Sequence, residues 1–358
     1  MLFTESYRRW VTFGPVVQPS TAEGVPILDS VSRPKTLQVS HSRPRTTSRI
    51  ARFARATLGC NLAVVLWGAY VRATSSGDGC SNKWPVCSGD VLGASAKATT
   101  IIEFTHRMTS AAALLMVISL AVWCWRATSR RDWARYSALL ATGFLANEAL
   151  LGAALVLLNH VGHDQSAGRI FFLCLHLGNT LLLLATLSLT AAWLSNGSRE
   201  FTFIRKWREV TAIGAGLLAT MITGITGAVT ALSDTLFPAT SLRSSLLQDF
   251  SFGTPVLVRF RLLHPAVATL AACYVLWVIF RSSRGRTGFS QPVVVFIALL
   301  FLQIVIGMIN VLLLVPVWLQ IVHLFVADVL WILLVLISAG LVLAPTEDCL
   351  PSPLAGGI

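Results

Sequence analysis

Four histidines carry the chemistry this sequence offers. His106, His176, His264 and His323 each lie near one end of an apolar run, on the second, fourth, sixth and eighth such runs. Neutral imidazole binds a metal through one ring nitrogen, and polar groups at membrane depth are costly and mark function. One such histidine reads equally well as a packed residue bonded to a carbonyl; four at matching places in a repeat are harder to dismiss. The remaining three, His41, His160 and His163, fall in polar segments. Zinc favours a tetrahedral set of Cys, His or carboxylate ligands, whereas each half here offers two histidines on alternate helices. Two imidazoles trans across an iron porphyrin suit that arrangement, and a four-helix bundle can enclose the macrocycle. Arg72, Arg107, Arg259 and Arg261 stand at the same level as candidate propionate contacts. Interfacial snorkelling is their alternative reading.

Glu103 precedes His106 by three residues, so both share a helix face. The second half has Arg261-Leu-Leu-His264 in place of Glu103-Phe-Thr-His106 and lacks that carboxylate. A carboxylate beside one haem could move protons or steady a cationic intermediate; a glutamate favoured by a helix N-terminus is the plainer account. Cys80 and Cys87 form a close pair in a polar loop, Gly77-Asp-Gly-Cys80-Ser-Asn-Lys-Trp84-Pro85-Val-Cys87. A disulfide is allowed on an oxidising side, either as a staple over the bundle or as a redox group. Cys60, Cys124, Cys174 and Cys273 read as small core residues.

Helices must position these groups. Of 358 residues, 54% are hydrophobic and 12% charged, against about 25% charged in soluble domains. Lipid must cover much of the surface. Apolar runs recur at about 55–74, 104–125, 134–158, 169–194, 209–232, 257–280, 291–315 and 318–343. Each approaches the ~20 residues that span a bilayer as helix. The net charge of +12 invites a nucleic-acid reading, but the basic residues are placed otherwise. Arg8, Arg9, Arg33, Lys35, Arg43, Arg45, Arg49, Arg52 and Arg55 precede or open the first run. Others fill alternate gaps: Arg126, Arg130, Arg131 and Arg135, then Arg199, Arg205, Lys206 and Arg208, then Arg281, Arg284 and Arg286. The positive-inside rule puts these on the cytoplasmic side, with both termini inside and 75–103, 159–168 and 233–256 outside.

The halves resemble each other. Gly68-Ala-Tyr-Val pairs with Gly227-Ala-Val-Thr, and Glu148-Ala-Leu-Leu-Gly152 with Gln303-Ile-Val-Ile-Gly307. A histidine follows each motif. The expected architecture is all-α, with eight transmembrane helices in two parallel-repeat four-helix bundles. The expected domains are a basic, disordered cytoplasmic tail at 1–54, an N-terminal half at 55–196, a C-terminal half at 197–345 and a second tail at 346–358.

Gly68-Ala-Tyr-Val-Arg72-Ala-Thr-Ser-Ser-Gly77, the Cys80…Trp84-Pro85-Val-Cys87 loop and Ile102-Glu103-Phe-Thr-His106-Arg107 together resemble the bacterial heme A synthase family, of the type that carries a cysteine pair. The likeness continues through Leu175-His176-Leu-Gly178, Thr226-Gly227-Ala228, Leu263-His264 and Val322-His323, from about 55 to 343. It implies oxidation of the C8 methyl of heme O to a formyl group, giving heme A for terminal oxidases, with oxygen from water. It implies His106 and His176 as ligands of the substrate haem, Glu103 as the catalytic carboxylate, His264 and His323 as ligands of a permanent heme b, and a Cys80–Cys87 disulfide. It further implies a bacterial inner-membrane location, heme O delivered by a heme O synthase, and an electron acceptor the sequence does not identify. A homo-oligomer is compatible with the sequence; nucleic acid is not an expected partner. Two departures stand out: Pro265 follows His264 where relatives commonly have Arg, and Asp234-Thr-Leu-Phe-Pro238 replaces a second cysteine pair.

Two other functions use the same features. A di-haem b-type electron carrier needs the four histidines but neither Glu103 nor unequal halves. A transporter would need a mid-membrane ion site, and the spans offer Glu148 as their one exception to a lack of charge; Gln303 at the matching place gives Glu148 a structural reading.

Overall fold

The computed structural model describes residues 45–81, 83–85, 87, 97–196, 201–203, 206–282 and 290–345. The expectation for 346–358, and that for 1–44, lie outside this set. The described helices are α1 (Arg45–Ala73), α2 (Ala98–Ala127), α3 (Trp133–Leu157), α4 (Ala167–Asn196), α5 (Trp207–Leu236), α6 (Leu242–Phe250), α7 (Val256–Ser282), α8 (Gln291–Leu312) and α9 (Val317–Val342). All but α6 are long and apolar enough to cross a membrane, eight among the described residues. Leu270 and Phe301, 73% and 71% exposed, show the outward faces that only lipid can cover.

Three findings go beyond the sequence reading. The first helix begins at Arg45, not 55, and Ile50, Ala51 and Ala54 are buried. The loop at 233–256 contains α6, opened by a capping box between Ser241 and Ser244. Strands β1 (Phe201–Phe203) and β2 (Leu343–Pro345) pair antiparallel, joining the linker after α4 to the segment after α9.

Cores form at two levels. Ala134, Leu145, Leu183 and Leu187 belong to a cluster drawn from α1 to α4, and Ile213, Val275, Phe296 and Leu330 to one from α5, α7, α8 and α9. Leu181 and Leu184 of α4 meet Trp331 and Val335 of α9 between them. Helix α9 is the most buried span. The helices that precede the second histidine of each half end identically. In α3 the Leu158 and His160 amides donate to Ala154 and Leu155 carbonyls, at 3.0 and 2.8 Å. In α8 the Leu313 and Val315 amides donate to Ile309 and Asn310, at 2.9 and 2.8 Å. Asn159 and Leu314 both take φ of 58° to make these closures.

Candidate haem sites and an outer carboxylate

Each of the four histidines packs over a glycine of the preceding spanning helix. A Cβ on Gly68 would stand 2.9 Å from His106 Cε1, one on Gly227 2.9 Å from His264 Cε1, and one on Gly307 3.1 Å from His323 Cε1. Gly152 lies under His176 at a looser 3.8 Å. No side chain is tolerated at the tight positions unless the imidazole moves. The sequence pairing of glycine with histidine is therefore a physical contact in both halves.

The ring nitrogens face different partners. His264 Nδ1 is 3.2 Å from Thr226 Oγ1, and His323 Nε2 is 3.2 Å from Gln303 Nε2. His176 Nδ1 is 3.4 Å from Glu148 Oε1, an ion-pair separation without hydrogen-bond alignment. The buried Nδ1 atoms of His106, His176 and His323 have no hydrogen-bond partner. Buried polar nitrogens rarely stay orphaned without a reason. Imidazoles seated on glycines, three of them with an unpartnered buried nitrogen, are donors that would suit a haem iron in each half. Among the described residues no group of three or more His, Cys, Asp or Glu side chains could hold a metal ion; each half offers two histidines.

Glu103 is 3% exposed and fully engaged. Its Oε2 accepts from the Cys80 amide at 2.7 Å, and its Oε1 pairs with Arg107. Arg107 also donates to the Lys83 carbonyl at 2.6 Å, so one guanidinium ties the carboxylate to the loop before α2. Cys80 and Cys87 form a disulfide that closes this loop. Thr100 Oγ1 donates to the Gly79 carbonyl at 2.7 Å, and a Cβ on Gly79 would meet the Thr99 backbone at 2.5 Å. Only glycine lets the loop lie this close to the start of α2.

The arginines are largely committed elsewhere. Arg72, on α1, crosses to the second half: it donates to the Ala231 carbonyl at 2.6 Å, Thr235 Oγ1 at 3.0 Å and Gln320 Oε1 at 3.1 Å. Arg261 Nε lies 2.7 Å from Asp234 and its NH1 3.6 Å from Asp249, and it donates to the Phe237 carbonyl at 2.6 Å. Burial pushes the Asp249 carboxyl above its ordinary range, while Arg261 pulls the other way. Arg259 has a 3.5 Å contact with the Phe252 carbonyl. Pro265 is accommodated inside α7. Sequence reasoning passed over Asp328, an acid in the interior of α9 that is 1% exposed with Oδ2 unpartnered. A charged residue within an apolar run was the available signal. It also passed over Asn147, Asn179 and Thr180 around Glu148.

Comparison with known proteins gives the same frame. Residues 51–335 match the family model of COX15-CtaA, cytochrome oxidase assembly protein. A protein named protoheme IX farnesyltransferase from Thermus thermophilus is 40% identical over 299 residues, 82% of this chain and 48% of that protein. The chain thus spans about half the length of that relative and of its counterpart in a second strain of the same species. Proteins named heme A synthase are also similar: 26% identical across 78% of this chain and 90% of the protein in Listeria monocytogenes. The Exiguobacterium protein of that name is 28% identical across 64% of this chain and 71% of its own length. With the family model covering most of the sequence and all four histidines inside the match, this chain belongs to the COX15-CtaA family of cytochrome oxidase assembly proteins.

Proposed function

We propose that this chain is a heme A synthase, converting the C8 methyl of heme O to a formyl group. The observation that carries the reading is the fourfold histidine-on-glycine contact, made unequal by Glu103 standing beside one pair only. His106 and His176 hold the substrate haem in the half at 55–196. His264 and His323 would hold heme b in the half at 197–345. When bound, heme b supplies one-electron redox capacity that no side chain has.

The chain's own residues orient, enclose and manage protons. With water as oxygen source, a methyl and one water become a formyl with release of four protons and four electrons, the electrons passing to an oxidant outside this chain. Glu103 is the group placed to take protons at its Oε atoms, with Arg107 and the Cys80 amide holding it in position. The Cys80–Cys87 disulfide acts as the staple that presents that amide. Of the four arginines, Arg259 has the fewest competing contacts for a propionate, whereas Arg72, Arg107 and Arg261 would contribute charge from fixed positions.

The identical closures of α3 and α8 support two parallel-repeat bundles. The arginine-rich gaps support both termini on the cytoplasmic face of a bacterial inner membrane. The Thermus relatives are named for farnesyl transfer to protoheme IX, the class of reaction that would supply a prenylated haem. That supports a heme O synthase as partner.

Haem extraction and chromatography of the purified chain, expressed with and without a heme O source, tests the function. Heme b alone, joined by heme O or heme A when substrate is supplied, is the expected result. Heme b in both conditions at about two per chain would replace the synthase with an electron carrier, and absence of haem from folded protein would end both readings.

A further inference from the structure

Helix α3 carries a groove on a face where Tyr136 and Leu140 are exposed. The groove encloses about 570 Å³, a size typical of small-molecule sites. It runs along α3 from Tyr136 through Leu140 and Gly143 to Asn147, and Asn179 of α4 closes the end at Asn147. Eleven residues separate Tyr136 from Asn147, so the groove is about 16 Å long. A Cβ on Gly143 would meet nothing within 4 Å. The missing side chain there leaves the floor open.

Its two ends differ in chemistry. Toward Tyr136 the walls are apolar, with Leu140 57% exposed. At the other end two asparagines join α3 to α4. Asn147 Nδ2 donates to Asn179 Oδ1 at 2.9 Å, and Asn179 Nδ2 donates to the Phe144 carbonyl at 2.8 Å. Asn179 lies three residues beyond His176 on α4, one turn from the histidine proposed for the substrate haem. Asn147 is exposed in the middle of α3, and its Oδ1 has no protein partner among the described residues. A polar oxygen facing hydrocarbon is unfavourable, and a ligand hydroxyl would satisfy it. Counted from Gly307 and His323, the second half has Ala298, Leu302 and Val326 where the first has Gly143, Asn147 and Asn179. The half proposed for heme b thus lacks both the open floor and the asparagines.

We propose that this groove binds the isoprenoid chain of a prenylated haem, with Asn147 Oδ1 accepting from the hydroxyl at the root of that chain. The proposal rests on the synthase reading above and names the subsite by which the chain tells heme O from heme b. The two haems differ in this chain and its hydroxyl, so only contacts to those groups can separate them. A long, apolar groove with one polar end matches a hydrocarbon chain that begins at an alcohol. The candidate propionate arginines lie toward the opposite end of the spans from Tyr136. Propionates turned to them would leave the prenylated edge of the macrocycle facing down α3. An acyl chain of the bilayer would need neither the asparagines nor their place beside His176.

The test is a competition for haem uptake. The purified full chain, carrying its heme b, is offered heme O and further heme b in equal amounts, and the haem it gains is extracted and separated. Heme O and any heme A formed from it are counted together. The unaltered chain is expected to gain prenylated haem in preference. Gly143→Leu fills the groove without meeting protein atoms; it should lose that preference while the original heme b and the thermal transition stay as they were. Leu140→Trp narrows the groove from its exposed wall and should act in the same way if Gly143→Leu does not fold. Leu150→Trp, 64% exposed on the same helix but outside the groove, should keep the preference. A folded Gly143→Leu or Leu140→Trp chain that still prefers heme O would overturn the proposal, leave the groove to a bilayer acyl chain and let the synthase reading stand. If neither variant folds, the unaltered chain decides, and equal gain of the two haems overturns the proposal. A chain that gains no haem of either kind would remove the synthase reading and this proposal with it.

Discussion

Glu103 has both carboxylate oxygens occupied, and the consequences of altering it can be ranked. Glu103→Gln keeps the shape but removes the charge opposite Arg107. Heme A formation should stop while the haem of the C-terminal half is retained, as read by haem extraction. Glu103→Ala should in addition leave the Cys80 amide and Arg107 without their buried acceptor, at a cost of about 1–3 kcal/mol. The glycines make a sharper contrast. Gly227→Ala places a methyl 2.9 Å from His264 Cε1, whereas Gly214→Ala, on the same helix, meets nothing within 4 Å. The first should abolish or strongly reduce the heme b spectrum, and the second should leave it intact. The glycine–histidine contacts were legible in the sequence because the spacing from Gly68 to His106 nearly matches that from Gly227 to His264. The partners of Arg72 and Arg261 were not, since they depend on which helices meet across the bundle.

At the scale of elements, the spans were readable because runs of this length in lipid must be helical. The start of α1 was not. Arg45, Arg49, Arg52 and Arg55 lower its apolar character, yet Ile50, Ala51 and Ala54 between them are buried against the first-half core. A chain beginning at 55 should therefore lose roughly 2–4 kcal/mol relative to the chain as given, from the burial of one isoleucine and two alanines; a thermal shift assay in detergent compares the two. Helix α6 escaped notice for a different reason. Nine residues in a polar loop carry no long apolar period, and only the cap chemistry of Ser241 marks where it begins.

Among the described residues, Arg72 and Trp331 make polar contacts that cross between the halves. Arg72 binds two helices of the second half, and Trp331 Nε1 donates to the Leu181 carbonyl at 2.7 Å. Trp331→Phe should cost about 1 kcal/mol for the lost bond, with some further loss of packing. Arg72→Ala should cost on the order of 2 kcal/mol and lower the temperature at which the haem absorbance collapses. On the haem reading proposed above, these contacts would also hold the two histidine pairs at a set separation.

The strand pair at Phe201–Phe203 and Leu343–Pro345 has a consequence for how the chain is made. Its two strands flank the entire second half, so the pair cannot form until the last span has been synthesised. Until then the first half must stand in the bilayer on the core that α1 to α4 supply by themselves. Connectivity thereby makes this strand pair one of the last contacts of the chain to close.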